Sequence, residues 1–233
     1  MRDFEKSRHA LDRAVKASLR SRAQAAGWKI VDNNLFRVRD DWFLHATWFV
    51  SKVDETTALQ FHVKPLELDH VFWDIVGLPE NKTLKISLRA NGAWTTHPPA
   101  LFEDTLVDSN CSPDAISQNI ITWIEKSSEA SLEHFSIELV AKRIENNIHW
   151  RERHSYSDAL ICAYVLAGRT EEAKELAKAC ALHGQPLDYI VGGQNFGARA
   201  LEWIEAREAD TAWKRAMHAV RRLFRRTAHP LPL

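Results

Sequence analysis

The chain has 233 residues, 45% hydrophobic and 27% charged, with 31 basic and 31 acidic side chains. A formal charge of zero provides no global field toward nucleic acid or an anionic membrane, and the length suits one large domain or two small ones. No apolar run reaches the roughly 18–20 residues of a membrane helix, and the charged start, MRDFEKSRHALDR, is no secretory signal.

Residues 3–26 are predicted as a first helix, with Phe4, Leu11, Val15 and Leu19 on one face, Asp3 as N-cap and Gly27 as stop. Four segments rich in aromatic and β-branched residues follow: Trp28–Val31, Leu35–Arg39, Trp42–Lys52 and Thr57–Lys64. The Asp and Asn residues between them are turn chemistry, and such short spacers predict antiparallel neighbours. Both alternate faces of 42–50 are apolar, which predicts a central strand. Asp69 is expected to cap a short helix from His70 to Val76, ended by Gly77 and Pro79. A fifth strand is expected at Thr83–Arg89, with Asn91-Gly92 as a turn, and residues 97–112 are expected to be a linker.

From Ser112-Pro113-Asp114, a good helix start, the pattern is helical. The first of these helices carries the apolar stripe Ile116, Ile120, Trp123 and Ile124; others are predicted over about 131–146, Tyr156–Ala167 and Thr170–Leu182, then roughly Phe196–Arg207 and Asp210–Arg226. The expected class is α+β: an N-terminal helix on an antiparallel sheet over 1–110, followed by an all-α helical-hairpin region over 111–233. Cys111, Cys162 and Cys180 contain no CxxC pair, so free thiols in a reducing, cytoplasmic compartment are expected.

Several groupings bear chemistry. Glu67, Asp69, His70 and Asp74 form the densest polar cluster, and His70 and Asp74 share a helical face at i, i+4. A carboxylate beside an imidazole orients a general base or supplies metal ligands; the alternative is a capped helix with a surface pair. His45 and His62 lie on strands and could meet across paired ones, where they are either half-buried neutral rings or ligands joining His70. His149 and His154 are five residues apart and cannot share a face as in HExxH. Gly192-Gly193-Gln194-Asn195-Phe196-Gly197 precedes a helix but lacks the GK[ST] ending of a phosphate loop. After Asp210 there are no acids, while Lys214, Arg215, Arg221, Arg222, Arg225 and Arg226 make a basic amphipathic terminus. It is either a docked helix whose charges offset the helix dipole or a site for nucleic acid or an acidic partner.

Two resemblances add to this. Gly27-Trp28-Lys29 at the end of a long helix, followed by a meander bearing Phe36-Arg37, resembles a bacterial helix-plus-meander domain of unknown function, over residues 4–64. Relatives of that kind occur beside contact-dependent or polymorphic toxins, which implies an immunity-type role. Residues 156–186 resemble a single degenerate tetratricopeptide repeat, through Leu160, Tyr164, Ala173 and the turn Gly168-Arg169-Thr170-Glu171-Glu172. Ile161 and Ala177 depart from that pattern, Pro186 comes one position late, and one repeat cannot stack into a solenoid.

The function expected is therefore non-enzymatic protein binding, with an immunity-type protein that neutralises a toxin as its concrete form and no cofactor. The partner surface is expected on the sheet face and at Trp42, Trp48, Trp73 and Trp94, together with Arg221, Arg222, Arg225 and Arg226. Two alternatives stand. One is a metal-dependent hydrolase or nuclease using Glu67, His70 and Asp74 with His45 and His62; the other is a nucleic-acid-associated regulator acting through the basic terminal helix.

Overall fold

The computed structural model describes residues 2–51, 55–84, 95–107, 111–147, 156–183 and 193–227; the side chains of 2–9, 183 and 212–227 are outside that description. Helix α1 (Arg2–Ala25) leads into strands β1 (Lys29–Val31), β2 (Asn34–Arg39), β3 (Trp42–Ser51) and β4 (Thr56–Pro65). Then come α2 (Glu67–Val76), a 3-10 turn (Pro79–Thr83) and strand β5 (Phe102–Val107). The remaining helices are α3 (Pro113–Ala130), α4 (Ile137–Asn146), α5 (Ser157–Leu166), α6 (Thr170–His183) and α7 (Phe196–Thr227). The fold is α+β.

The sheet is an antiparallel meander in the order β1-β2-β3-β4-β5. The β2–β3 hairpin turns on Asp40 and Asp41, whose φ values of 50° and 63° fit the left-handed pair of a two-residue hairpin loop. Aspartate tolerates that region better than most residues because its short side chain bonds locally.

One sheet face is packed. Leu35, Leu44, Ala46, Trp48, Leu59, Phe61 and Val63 meet Val15, Leu19 and Ala23 of α1 and Ile116, Ile120 and Ile124 of α3. The four-residue spacing in each helix puts its apolar side chains in one stripe. Arg37 seals the packing: its guanidinium lies 4.4 Å from the Trp28 ring and bonds Ser128, while the Trp28 indole N–H donates to Glu125. Trp28 and Arg37, two of the residues that carry the meander resemblance, thus tie the start of β1 and β2 to α3.

A second core joins α2, α4, α5, α6 and α7, through residues such as Phe72, Trp73, Val140, Ile161 and Phe196. The two cores cross the chain position 110 in both directions: α2 lies before it and packs with the helices, α3 lies after it and packs on the sheet. Trp42 touches both cores and stacks on Phe135 at 4.7 Å.

Three local expectations are corrected. Inside the expected linker 97–112 lies a strand, Phe102–Val107. Of the strand expected at Thr83–Arg89, Thr83 ends the 3-10 turn, and 85–94 lie outside the described residues. The helix 131–146 is broken: residues 131–134 are 3-10 and α4 starts at Ile137 after Ser136. The terminal pair is one helix, α7, because Glu208-Ala209-Asp210 carries neither Gly nor Pro to stop it. His149 and His154 lie outside the described residues, as does Gly192.

Helices α5 and α6 form the expected hairpin around Gly168, whose φ is 71°. Gly197 has a different task. A Cβ there would stand 2.7 Å from the Ala177 carbonyl oxygen and 2.7 Å from Cys180 Cβ, so only glycine lets α7 lie this close to α6. Asn195 accepts the Ala198 N–H at 2.9 Å, as an N-cap does. The Gly-rich segment therefore starts and seats a helix.

Candidate functional site

The second sheet face carries Phe36 and Val38 of β2, Phe43, His45, Thr47 and Phe49 of β3, Ala58, Gln60, His62 and Lys64 of β4, and Glu103 and Thr105 of β5, because side chains alternate along each strand. It divides into a covered half and an exposed half.

The covered half is polar and closed. Lys64 is 4% exposed and Asp69 is fully buried. Lys64 Nζ lies 2.8 Å from Asp69 Oδ2 and donates to Oδ1 at 3.0 Å. Thr96 donates to the same Oδ1 from its N–H at 2.9 Å and from its hydroxyl at 2.8 Å, and its carbonyl accepts from Lys64. Burial pulls the Lys64 ammonium down, and the Asp69 carboxylate holds it up. The group ties the end of β4, the start of α2 and the segment at 96 into one junction. A buried pair of this kind is tolerated because each partner is hydrogen-bonded as well as charged.

His45 and His62 do meet, as cross-strand partners whose rings stack at 5.4 Å. His45 Nε2–H donates to Asn34 Oδ1 at 2.8 Å, and His62 Nδ1–H donates to the Pro98 carbonyl at 3.1 Å. Burial pushes His45 down to about 2, with the His62, His97 and Lys64 charges adding to it. Burial also lowers His62, against the Pro98 bond. These rings are neutral packing groups at neutral pH.

The 67–74 cluster does not act as a unit. Asp69 is the third residue of α2 rather than its cap, and it points inward to Lys64. Asp74 pairs with Lys82 at 2.5 Å instead of with His70, Glu67 is exposed and His70 is half-buried. Among the described residues no three His, Cys, Asp or Glu side chains are grouped to hold a metal ion.

Two of the four tryptophans expected on a partner surface lie in the cores. Trp48 is 2% and Trp73 1% exposed, both core residues, and Trp42 is half-buried at the junction of the cores. Trp94 lies outside the described residues. Arg221, Arg222, Arg225 and Arg226 are on the helical backbone of α7, with side chains outside the description.

The exposed half of the second face is the candidate site. Phe49 is 54% exposed there. Thr47, Ala58, Gln60, Glu103, Asp104 and Thr105 surround it in a shallow trough of about 440 Å³. Gln60 donates to Glu103 at 2.9 Å, so the rim is pre-set. An apolar side chain inside a polar ring matches the anatomy of an interaction hot spot. Strand β5, the outermost strand among the described residues, carries Glu103 and Asp104, charges that guard an edge against indiscriminate strand pairing.

Sequence reasoning missed Phe49 of the site, and Lys64 and Thr96 of the buried junction beside it. Two signals were present. Phe49 sits on the weaker of the two apolar faces of 42–50, and Lys64 interrupts an otherwise apolar strand end. Comparison of the chain with protein-family models, curated proteins and solved structures finds no match. No helix among the described residues is long and apolar enough to cross a membrane.

Proposed function

We propose that this chain is a non-enzymatic protein-binding module whose contact surface is the exposed half of the second sheet face, anchored by Phe49. One observation carries the reading: a large apolar ring, 54% exposed, stands in a polar trough on a rigid sheet. The polar chemistry of the covered half is spent on folding, since Lys64, Asp69 and Thr96 satisfy one another out of reach of a substrate. The partner surface that fits is an apolar recess with a basic group on its rim, facing Glu103. Such charge complementarity raises the association rate more than the affinity.

The immunity-type form, in which the partner is a bacterial toxin, is supported by the resemblance over residues 4–64. A pull-down of the protein encoded beside this one tests it, using the full chain as bait. Capture by the wild type and loss of capture by Phe49→Asp, with unfolding unchanged, is expected. Equal capture by both, or none by either, would remove this form of the reading. No observation among the described residues favours the metal-dependent hydrolase or the nucleic-acid regulator.

A further inference from the structure

A separate cavity of about 610 Å³ opens between α4 and the start of β5. Leu101 and Leu139 give it an apolar wall, and His134, Lys142, Arg143 and Asn146 line the rest. No carboxylate is among its described lining residues. Arg143 is partly buried; it donates from Nη2 to the Val63 carbonyl at 2.7 Å, while its buried Nε has no hydrogen-bond partner among the described residues. Burial lowers the Arg143 proton affinity to about 10, and no acid among the described residues pairs with it.

Placing a guanidinium in such a site without a counter-ion is costly. The C-terminal end of α4 offsets only roughly half a charge, whereas Lys142 and Arg143 bring two full ones. The surplus positive charge, the amide donors and the apolar wall together define a ligand. We infer that this cavity binds a small organic oxyanion, a carboxylate or phosphate ester, with its charged group on Lys142 and Arg143 and its apolar body on Leu101 and Leu139. Arg143 contributes its charge and the Nη N–H groups that the Val63 carbonyl leaves free, since Nε is buried. Bound oxyanion would supply the missing counter-charge, so occupancy stabilises the helical core against the sheet.

Titration of the full chain with phenyl phosphate and with inorganic phosphate tests this, followed by thermal unfolding and by the side-chain amide signals of Asn146 and Asn147. The expected result is saturable binding of phenyl phosphate with a Kd of about 1 mM or tighter, a raised Tm, and moving amide signals. Inorganic phosphate should bind more weakly, because it has no body for the leucines. Lys142→Met, at an exposed position that leaves folding intact, should weaken phenyl phosphate about fivefold or more. Asn146→Asp, which places a competing carboxylate in the cavity, should weaken it as well. No saturation at about 10 mM, equal affinity for the two probes, or binding indifferent to both variants would each overturn the assignment. The site shares no residue with the Phe49 trough, so neither result bears on the other.

Discussion

Acidification should unfold this protein partly through one side chain, His45. Its ring is 7% exposed, stacked on His62, and held to about 2 against 6.5 for an ordinary histidine. Above pH 6.5 neither folded nor unfolded chain protonates it, and it gives no pH dependence. Below 6.5 the unfolded chain takes up a proton that the folded chain refuses, so stability falls as pH falls, by about 1.4 kcal/mol per pH unit. Between pH 6.5 and 4.5 that amounts to about 2.7 kcal/mol. His97 shifts in the same direction, but it is exposed and solvent screens it, so its share is smaller. The assay is equilibrium urea unfolding of wild type and His45→Phe from pH 7 to 5. Phenylalanine keeps the stack but loses the bond to Asn34, which costs about 1 kcal/mol at pH 7. The variant should then overtake the wild type below about pH 6. Stability curves that run parallel over this range would refute the burial argument, because they would mean that the folded state protonates His45 freely.

Two further substitutions probe the junctions between elements. Asp69→Asn leaves the Lys64 ammonium buried without its counter-charge and should cost about 3–5 kcal/mol; the double variant Lys64→Met, Asp69→Leu should recover most of it, read by the same urea titration. Gly197→Ala should destabilise by about 1–3 kcal/mol, since its Cβ would collide with the backbone of α6. Without that approach the change would stabilise the helix by about 1 kcal/mol, so the sign of the measured difference decides.

The sequence was readable where one period ruled. Val15, Leu19 and Ala23 in α1, and Ile116, Ile120 and Ile124 in α3, repeat every four residues and lie in the core as that spacing requires. Ser112 caps α3 through a bond from the Ala115 N–H, as its position before Pro113 implied. Strand β5 was missed because Glu103, Asp104 and Thr105 are all exposed on an edge, so no apolar alternation marks them. Asp69 was taken for a cap because local chemistry favours that use; its partner Lys64 is brought to it by the turn at Pro65 and Leu66, and its partner Thr96 lies 27 residues away. The number of tryptophans pointed toward a binding surface, but in β3 and α2 the indoles went to the cores and left the smaller Phe49 outside. His45 and His62 were correctly placed across from each other, since register follows from strand spacing.

The most direct measurement of the proposed function is the affinity of wild type and Phe49→Asp for a captured partner, by calorimetry at low and at physiological salt. A hot-spot anchor predicts a loss of about 2 kcal/mol or more, roughly 30-fold, with the unfolding midpoint unchanged. Glu103→Lys should reduce the salt dependence of the association rate. Affinities within about twofold of each other, in two proteins of equal stability, would place the contact surface elsewhere and contradict the account.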